Sequence, residues 1–263
     1  MNLETLIYEK IEGVAKITIN RPENYNSLNH TMSRELLQVA IECDEDKEVR
    51  AILFTGSGDK SFCAGGDLIS FKKSGDSLGK EIKELMVSLH GAISRFSRIR
   101  VPVIAAVNGV AAGAGLSFAS FPNLAIASEE ATFVSAYTKM GLTPDGSSTY
   151  FLPRIIGVRR YMELVLTNRT LNAQEALEWG LINKVVKASE LQEKAMEMAL
   201  SLSEGPTMAF GRIKDLVLNT FHDSLEGQLE MESRHFISSL ETNDAKIGID
   251  SFVKKISPDF IGK

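Results

Sequence analysis

Residues 101–128, VPVIAAVNGVAAGAGLSFASFPNLAIAS, run for the length of a bilayer crossing without one charged side chain. A membrane helix of that length is apolar throughout, whereas this run is interrupted by Pro102, Asn108, Gly109, Gly113, Gly115, Ser117, Ser120, Pro122 and Asn123. The interruptions predict a buried strand, VPVIAAV, a turn at Asn108 and Gly109, and a small-residue helix beginning near Gly113. All three cross the core of a soluble domain, and no membrane span is expected.

Upstream, residues 49–55, VRAILFT, read as a second buried strand that ends in a glycine-rich loop over 56–66. Between the two strands, Leu78, Ile82, Leu85, Met86, Leu89, Ile93 and Phe96 recur at helical intervals and predict a helix over 78–99 that buries one face. Residues 6–19 hold two alternating runs around Glu12 and Gly13, the pattern of a hairpin. A turn-rich loop, RPENYNSLN, leads from there to a helix over 31–40. Downstream, 125–127 and 132–134 read as short strands ahead of a loop over 141–148. Helices are expected at 173–179, 190–202, 208–220 and 224–239.

Strands alternating with helices place the chain in the α/β class, although the opening antiparallel hairpin does not fit a simple doubly wound sheet. A core over 1–200 and a helical appendage over 201–263 is the expected division.

The 263 residues are 44% hydrophobic and 24% charged, a globular balance, and the net charge of -5 gives no general attraction to nucleic acid or acidic lipid. The first twenty residues alternate and carry no secretory pattern. With only Cys43 and Cys63 there is no disulfide framework, so a reducing cytoplasm is the expected compartment. His30, His90, His222 and His235 form no metal motif, and no metal is expected. Lys187, Lys194 and Lys214 read as solvated surface charges.

Two glycine loops and one acid carry chemistry. In SFCAGGDL, 61–68, the amides around Gly65 and Gly66 can face one anionic oxygen; equally, the glycines can simply make a tight strand-to-helix turn. In NGVAAGAGLSFA, 108–119, Gly113, Ala114 and Gly115 stand at a helix start, where free amides favour negative charge and where small residues also permit close packing. One amide from each loop would make a hole for an enolate or tetrahedral oxyanion. Asp145, in GLTPDGSST, is then the natural proton carrier, or else an exposed turn aspartate. His90 follows Leu89 on the long helix and reads either as a base or as a hydrogen-bonded surface histidine. Tyr137 reads as packing, substrate binding or proton donation.

With these residues in place, the chain resembles the crotonase family, the enoyl-CoA hydratase/isomerase superfamily. The resemblance is carried by RPEN at 21–24, SFCAGGDL at 61–68, PVIAAVNG at 102–109, AGAG at 112–115 and the block 141–184. It implies a spiral core of repeated ββα units, a C-terminal helical trimerisation region, and homo-trimers or dimers of trimers. It also implies an acyl-CoA thioester as substrate, so that coenzyme A arrives with the substrate and no separate cofactor is needed. The thioester oxygen would accept from the amides of Gly66 and Ala114, the latter replacing a frequent glycine. Adenine and phosphates would lie near Arg21, Asn24 and Ser27 and near Ala64, Gly65, Asp67 and Leu68, with Gly113 beside the thioester and Phe252 and Lys255 closing the pocket from the tail.

The resemblance also bears on the reaction. Hydratases of the family work with two glutamates, and the matching positions here are Ser117 and Tyr137, neither an ordinary base at neutral pH. Asp145 matches the acid of isomerising members, including the ring-isomerising enzyme of phenylacetate degradation. The implied activity is therefore the shift of a C3 double bond to C2. His90, Asp145 and residues 155–170 also resemble 4-chlorobenzoyl-CoA dehalogenase, from which Tyr137 departs. Atypical hydration, aromatic dehalogenation or hydrolysis, and acyl-CoA binding without turnover stand as alternatives.

Overall fold

The computed structural model describes residues 1–263. Strands β1 (Leu6–Ile11) and β2 (Val14–Ile19) form the expected hairpin, and its two-residue turn places Glu12 at φ 47° and Gly13 at φ 82°, both left-handed as such turns require. Helix α1 (His30–Glu45) is capped by the Asn29 side chain and runs past residue 40, because Val39, Ala40 and Cys43 continue its buried stripe.

Three strand pairs follow. They are β3 (Ala51–Gly56) with β4 (Ser61–Cys63), β5 (Val103–Val107) with β6 (Val110–Ala112), and β7 (Leu124–Ser128) with β8 (Thr132–Val134). The first pair leads into helices α2 (Leu68–Lys73) and α3 (Leu78–Arg98), the second into α4 (Ala114–Ser120), and the third through a loop into α5 (Ser148–Ile156) and α6 (Val158–Thr167). Then come β9 (Leu171–Asn172), α7 (Ala173–Trp179), β10 (Lys184–Val186) and α8 (Leu191–Ser203), and finally α9 (Thr207–Asn219), α10 (Leu225–Leu240) and α11 (Asn243–Lys254).

The first strand of each pair joins a six-stranded sheet, β1-β2-β3-β5-β7-β10, and the second joins a four-stranded sheet, β4-β6-β8-β9. Only β1 and β9 run antiparallel to their neighbours. This alternation between two sheets is the repeated ββα spiral.

The middle strands of the large sheet, β3, β5 and β7, are buried on both faces, which accounts for the uncharged run over 101–128. Along β5, Val103, Ala105 and Val107 face the main core, while Ile104 and Ala106 face a second cluster under α8. Helix α8 brings Leu191, Ala195 and Ala199 to that second face and spans residue 200.

The tail is tied down by polar side chains. Arg50 donates to Gly205 O at 2.8 Å and to Phe260 O at 3.1 Å, and Asp244 accepts from the amides of Ile261 and Gly262. Lys214 corrects the expectation of a solvated charge. It lies buried on α9, and its Nζ donates to Val101 O at 2.7 Å and Phe96 O at 3.4 Å, where α3 ends and β5 begins. Burial pushes its ammonium down to about 7. Elsewhere α9 to α11 leave Ile213, Val217, Phe236, Ile237, Phe252 and Val253 exposed. No helix is long and apolar enough to cross a membrane.

Candidate active site

The two glycine loops touch. A Cβ built on Gly65 would stand 3.1 Å from Ala112 O and 3.6 Å from the Cα of Gly113. Both residues have positive φ, at 97° and 53°, so only a residue without a side chain allows this approach at this backbone conformation. The contact brings the strand-to-helix turn after β4 against the start of α4. Gly66 and Ala114 then follow, one in each loop, and neither N–H donates to a protein acceptor. For Ala114 the reason is general, since the first residue of a helix has no carbonyl one turn earlier to bond. Ala114 is nonetheless buried, so its amide is a desolvated donor available to a ligand oxygen.

Asp145 is held beside these loops by its backbone and its carboxylate. Its carbonyl accepts from Ser117 Oγ at 3.1 Å, Ser148 Oγ at 3.0 Å and Ser148 N at 3.2 Å. Its Oδ1 accepts a short hydrogen bond from Tyr137 Oη, while Oδ2 has no protein donor. The Tyr137 ring in turn lies 3.8 Å from where a Cβ of Gly113 would be, so the phenol bridges the second glycine loop and the acid. Burial, followed by the charge of Asp145, raises the Tyr137 phenol above its ordinary range. Tyr137 is therefore a donor and not a base at any ordinary pH. Ser117 is fully buried and spends its hydroxyl on the backbone of Asp145.

The expected coenzyme-side residues are partly gathered. Arg21 donates to Ser27 O at 2.6 Å and pairs with Asp67 at 3.0 Å, with both side chains largely buried. Asp67 also caps α2 through Ser70 N. Ala64 N donates to Tyr25 O, and Leu28 bonds to both Gly65 and Asp67, which fastens the 21–28 loop to the first glycine loop. Leu68 stands half-exposed at the rim. Asn24 stays at the surface with its side chain on Glu23. Phe252, 85% exposed, and Lys255 lie on and just after α11, and no hydrogen bond joins either to these loops.

Two residues were missed from sequence. Asn26 is fully buried and links Arg21, Ser57 and Ser61 through both ends of its amide; a polar residue in a turn-rich loop gives no sign of this. Ser147 lies at φ 72° with a buried hydroxyl that has no partner. His90 stands on the exposed side of α3, makes no hydrogen bond to Asp145, and lines a cavity of about 430 Å³ that Ser147 also lines.

The structure thus defines a class: a double-sheet ββα spiral in which two amides without protein acceptors sit in glycine loops tied to one anchored carboxylate. Residues 9–263 match the family model described as enoyl-CoA hydratase/isomerase, and the chain belongs to that family. A 1,2-epoxyphenylacetyl-CoA isomerase of Escherichia coli is 36% identical, over 99% of this chain and 100% of its own length. A 4-chlorobenzoyl coenzyme A dehalogenase of an Arthrobacter species is also 36% identical, over 88% and 84%. The crystal structure of an enoyl-CoA hydratase from Bacillus anthracis superposes with a TM-score of 0.92 at 31% identity, covering 99% and 100%. Relatives thus bear the names of three different reactions on one fold.

Proposed function

We propose that the protein is an enoyl-CoA isomerase that shifts a C3 double bond to C2 in an acyl-CoA thioester. The observation that carries this reading is the single anchored carboxylate of Asp145, bonded to Tyr137 beside the free amides of Gly66 and Ala114. The amides donate to the thioester oxygen as it gains charge. With Oδ1 engaged by Tyr137, Oδ2 takes the proton from C2, the dienolate forms, and the same oxygen returns the proton to C4. The positions that match the two hydratase glutamates hold Ser117 and Tyr137, and both are committed to Asp145, so water lacks the paired carboxylates that hydration uses.

Arg21, Ser27, Ala64, Gly65, Asp67 and Leu68 form the coenzyme-side wall in this reading. The exposed apolar side chains of α9 to α11, Phe252 among them, are surfaces that a homo-trimer would cover, with Lys255 just beyond α11 at their edge.

The test is mass spectrometry of short and medium 3-enoyl-CoA esters incubated with the enzyme in heavy water, with product retention giving the position of the double bond. Migration to the 2-enoyl ester is expected, with deuterium entering C4 only to the extent that the proton on Asp145 exchanges with solvent before its return, and with the rate falling by about 10²-fold or more in Asp145→Asn while thioester binding persists. Wild-type turnover in D145N would remove Asp145 from the role. A second reading, aromatic dehalogenation, is favoured by His90 on a cavity that Ser147, two residues after Asp145, also lines. Chloride release from 4-chlorobenzoyl-CoA, abolished in both D145N and His90→Gln, would replace the isomerase reading.

A further inference from the structure

The cavity of about 430 Å³ lies between α3, α5 and α9 and comes close to the loop that carries the acid: Ser147, two residues after Asp145, lines it, and Ile93 on its wall would meet a Cβ of Gly146 at 3.9 Å. In the acyl-CoA reading this space is taken as the room for the far part of the acyl chain. Its walls are unlike those of a pocket for an alkyl tail. Ile93, Phe151 and Leu218 supply apolar surface, but His90, Ser94, Arg98 and Ser147 line it as well.

The hydrogen bonding of these polar groups is one-sided. Asp215, the one carboxylate on the wall, is occupied by His235 at 2.9 Å and Asn219 at 3.3 Å. His222 faces Tyr150 Oη at 3.2 Å, and Ser97 donates back to Ile93 O. Arg98 and His90 make no side-chain hydrogen bond or ion pair, and Ser147 keeps its hydroxyl buried with no partner, on a backbone in the left-handed region that serine rarely adopts. A buried hydroxyl that bonds nothing in the protein is expensive unless a ligand atom completes it. What remains free on the wall thus includes two donors, the exposed Arg98 guanidinium and the Ser147 hydroxyl, beside the side-chain oxygen of Asn219.

The geometry points to a substrate whose acyl chain carries an oxygen acceptor at its far end, a hydroxyl, carbonyl or carboxylate, received by Ser147 and Arg98. These are specificity residues. This inference rests on the acyl-CoA reading and narrows it, since a plain alkyl chain would desolvate the donors without bonding them.

Calorimetric binding of saturated esters tests it without requiring turnover. The probes are hexanoyl-CoA, 6-hydroxyhexanoyl-CoA and adipoyl-CoA, whose chains have equal carbon number. At least one oxygenated ester should bind about tenfold more tightly than hexanoyl-CoA, as one hydrogen bond to a charged donor allows. Arg98→Gln should remove most of the gain for adipoyl-CoA, and Ser147→Ala most of it for the hydroxy ester. Ser147→Ala should not lower the melting temperature, because the hydroxyl bonds nothing in the protein. A gain confined to adipoyl-CoA and lost in added salt identifies the carboxylate as the group received. Equal or tighter binding of hexanoyl-CoA, or a preference that survives both substitutions, overturns the inference and leaves acyl-CoA binding intact. Failure of all three esters to bind overturns both.

Discussion

Replacing Lys214 by methionine removes a buried amine whose titration is tied to folding. In the unfolded chain this group keeps its ordinary value of 10.5, and in the folded chain burial holds it at about 7. Above 10.5 both states are neutral and burial of the amine costs no charge. As pH falls from 10.5 towards 7, the unfolded chain takes up a proton that the folded chain refuses, and stability drops by about 1.4 kcal/mol per pH unit. Below about 7 the folded chain is protonated too, and the deficit stays constant at about 5 kcal/mol. Lys214→Met has no such term, although it leaves Val101 O and Phe96 O without their donor at every pH. The decisive quantity is thus the difference in slope. Between pH 7.5 and 9.5 the wild type should gain about 3 kcal/mol relative to K214M, since all other titrating groups are common to both. Urea unfolding followed by circular dichroism at pH 7.5, 8.5 and 9.5, at one protein concentration, measures this. Parallel pH dependence in the two proteins would show that Lys214 does not titrate as a buried amine.

Removing the phenol hydroxyl in Tyr137→Phe takes one charged hydrogen bond from Asp145, so kcat for isomerisation should fall about tenfold or more while the affinity for a saturated acyl-CoA stays within a factor of two. Adding a methyl group in Gly115→Ala places a Cβ 1.8 Å from Cys63 O, backbone that cannot yield cheaply, and the variant should lose several kcal/mol in urea unfolding or fail to accumulate as soluble protein. Cys43 and Cys63 are both buried and free, with their thiols pushed up to about 12 by burial. Ellman's reagent at pH 8 should therefore release no chromophore from the native protein within minutes and two equivalents after denaturation.

What could be read from the residues was whatever a local pattern encodes. The uncharged run of β5 and β7, the helical stripe of α3 and the Glu12, Gly13 turn each fold as their spacing implies. Helices α5 and α6 were not legible, because Pro153 and Gly157 break the period and Ser147 and Ser148 look like loop. Strands β9 and β10 span two and three residues and exist only through partners far away in the chain. Lys214 was misread for a related reason: its place on α9 says nothing about the helix end and strand start, more than a hundred residues earlier, that receive its amine. In the site, Gly66, Ala114 and Asp145 were visible as backbone donors and an acid in a small-residue loop. The supports of Asp145 were not, since the bond from Ser117 spans 28 residues and that from Tyr137 depends on a loop closing on itself.

The three donors on the carbonyl of Asp145 have a stereochemical consequence for the proposed reaction. A peptide fixed at that point cannot carry its side chain around the acyl plane, and Tyr137 halts rotation of the carboxylate by holding Oδ1. The proton lost from C2 and the proton delivered to C4 must then travel over one side of the substrate. The transfer is suprafacial, and a substrate labelled with deuterium on a single prochiral C2 position should carry the label to C4, less any exchanged with solvent, when that hydrogen faces the acid, and retain it at C2 when it does not.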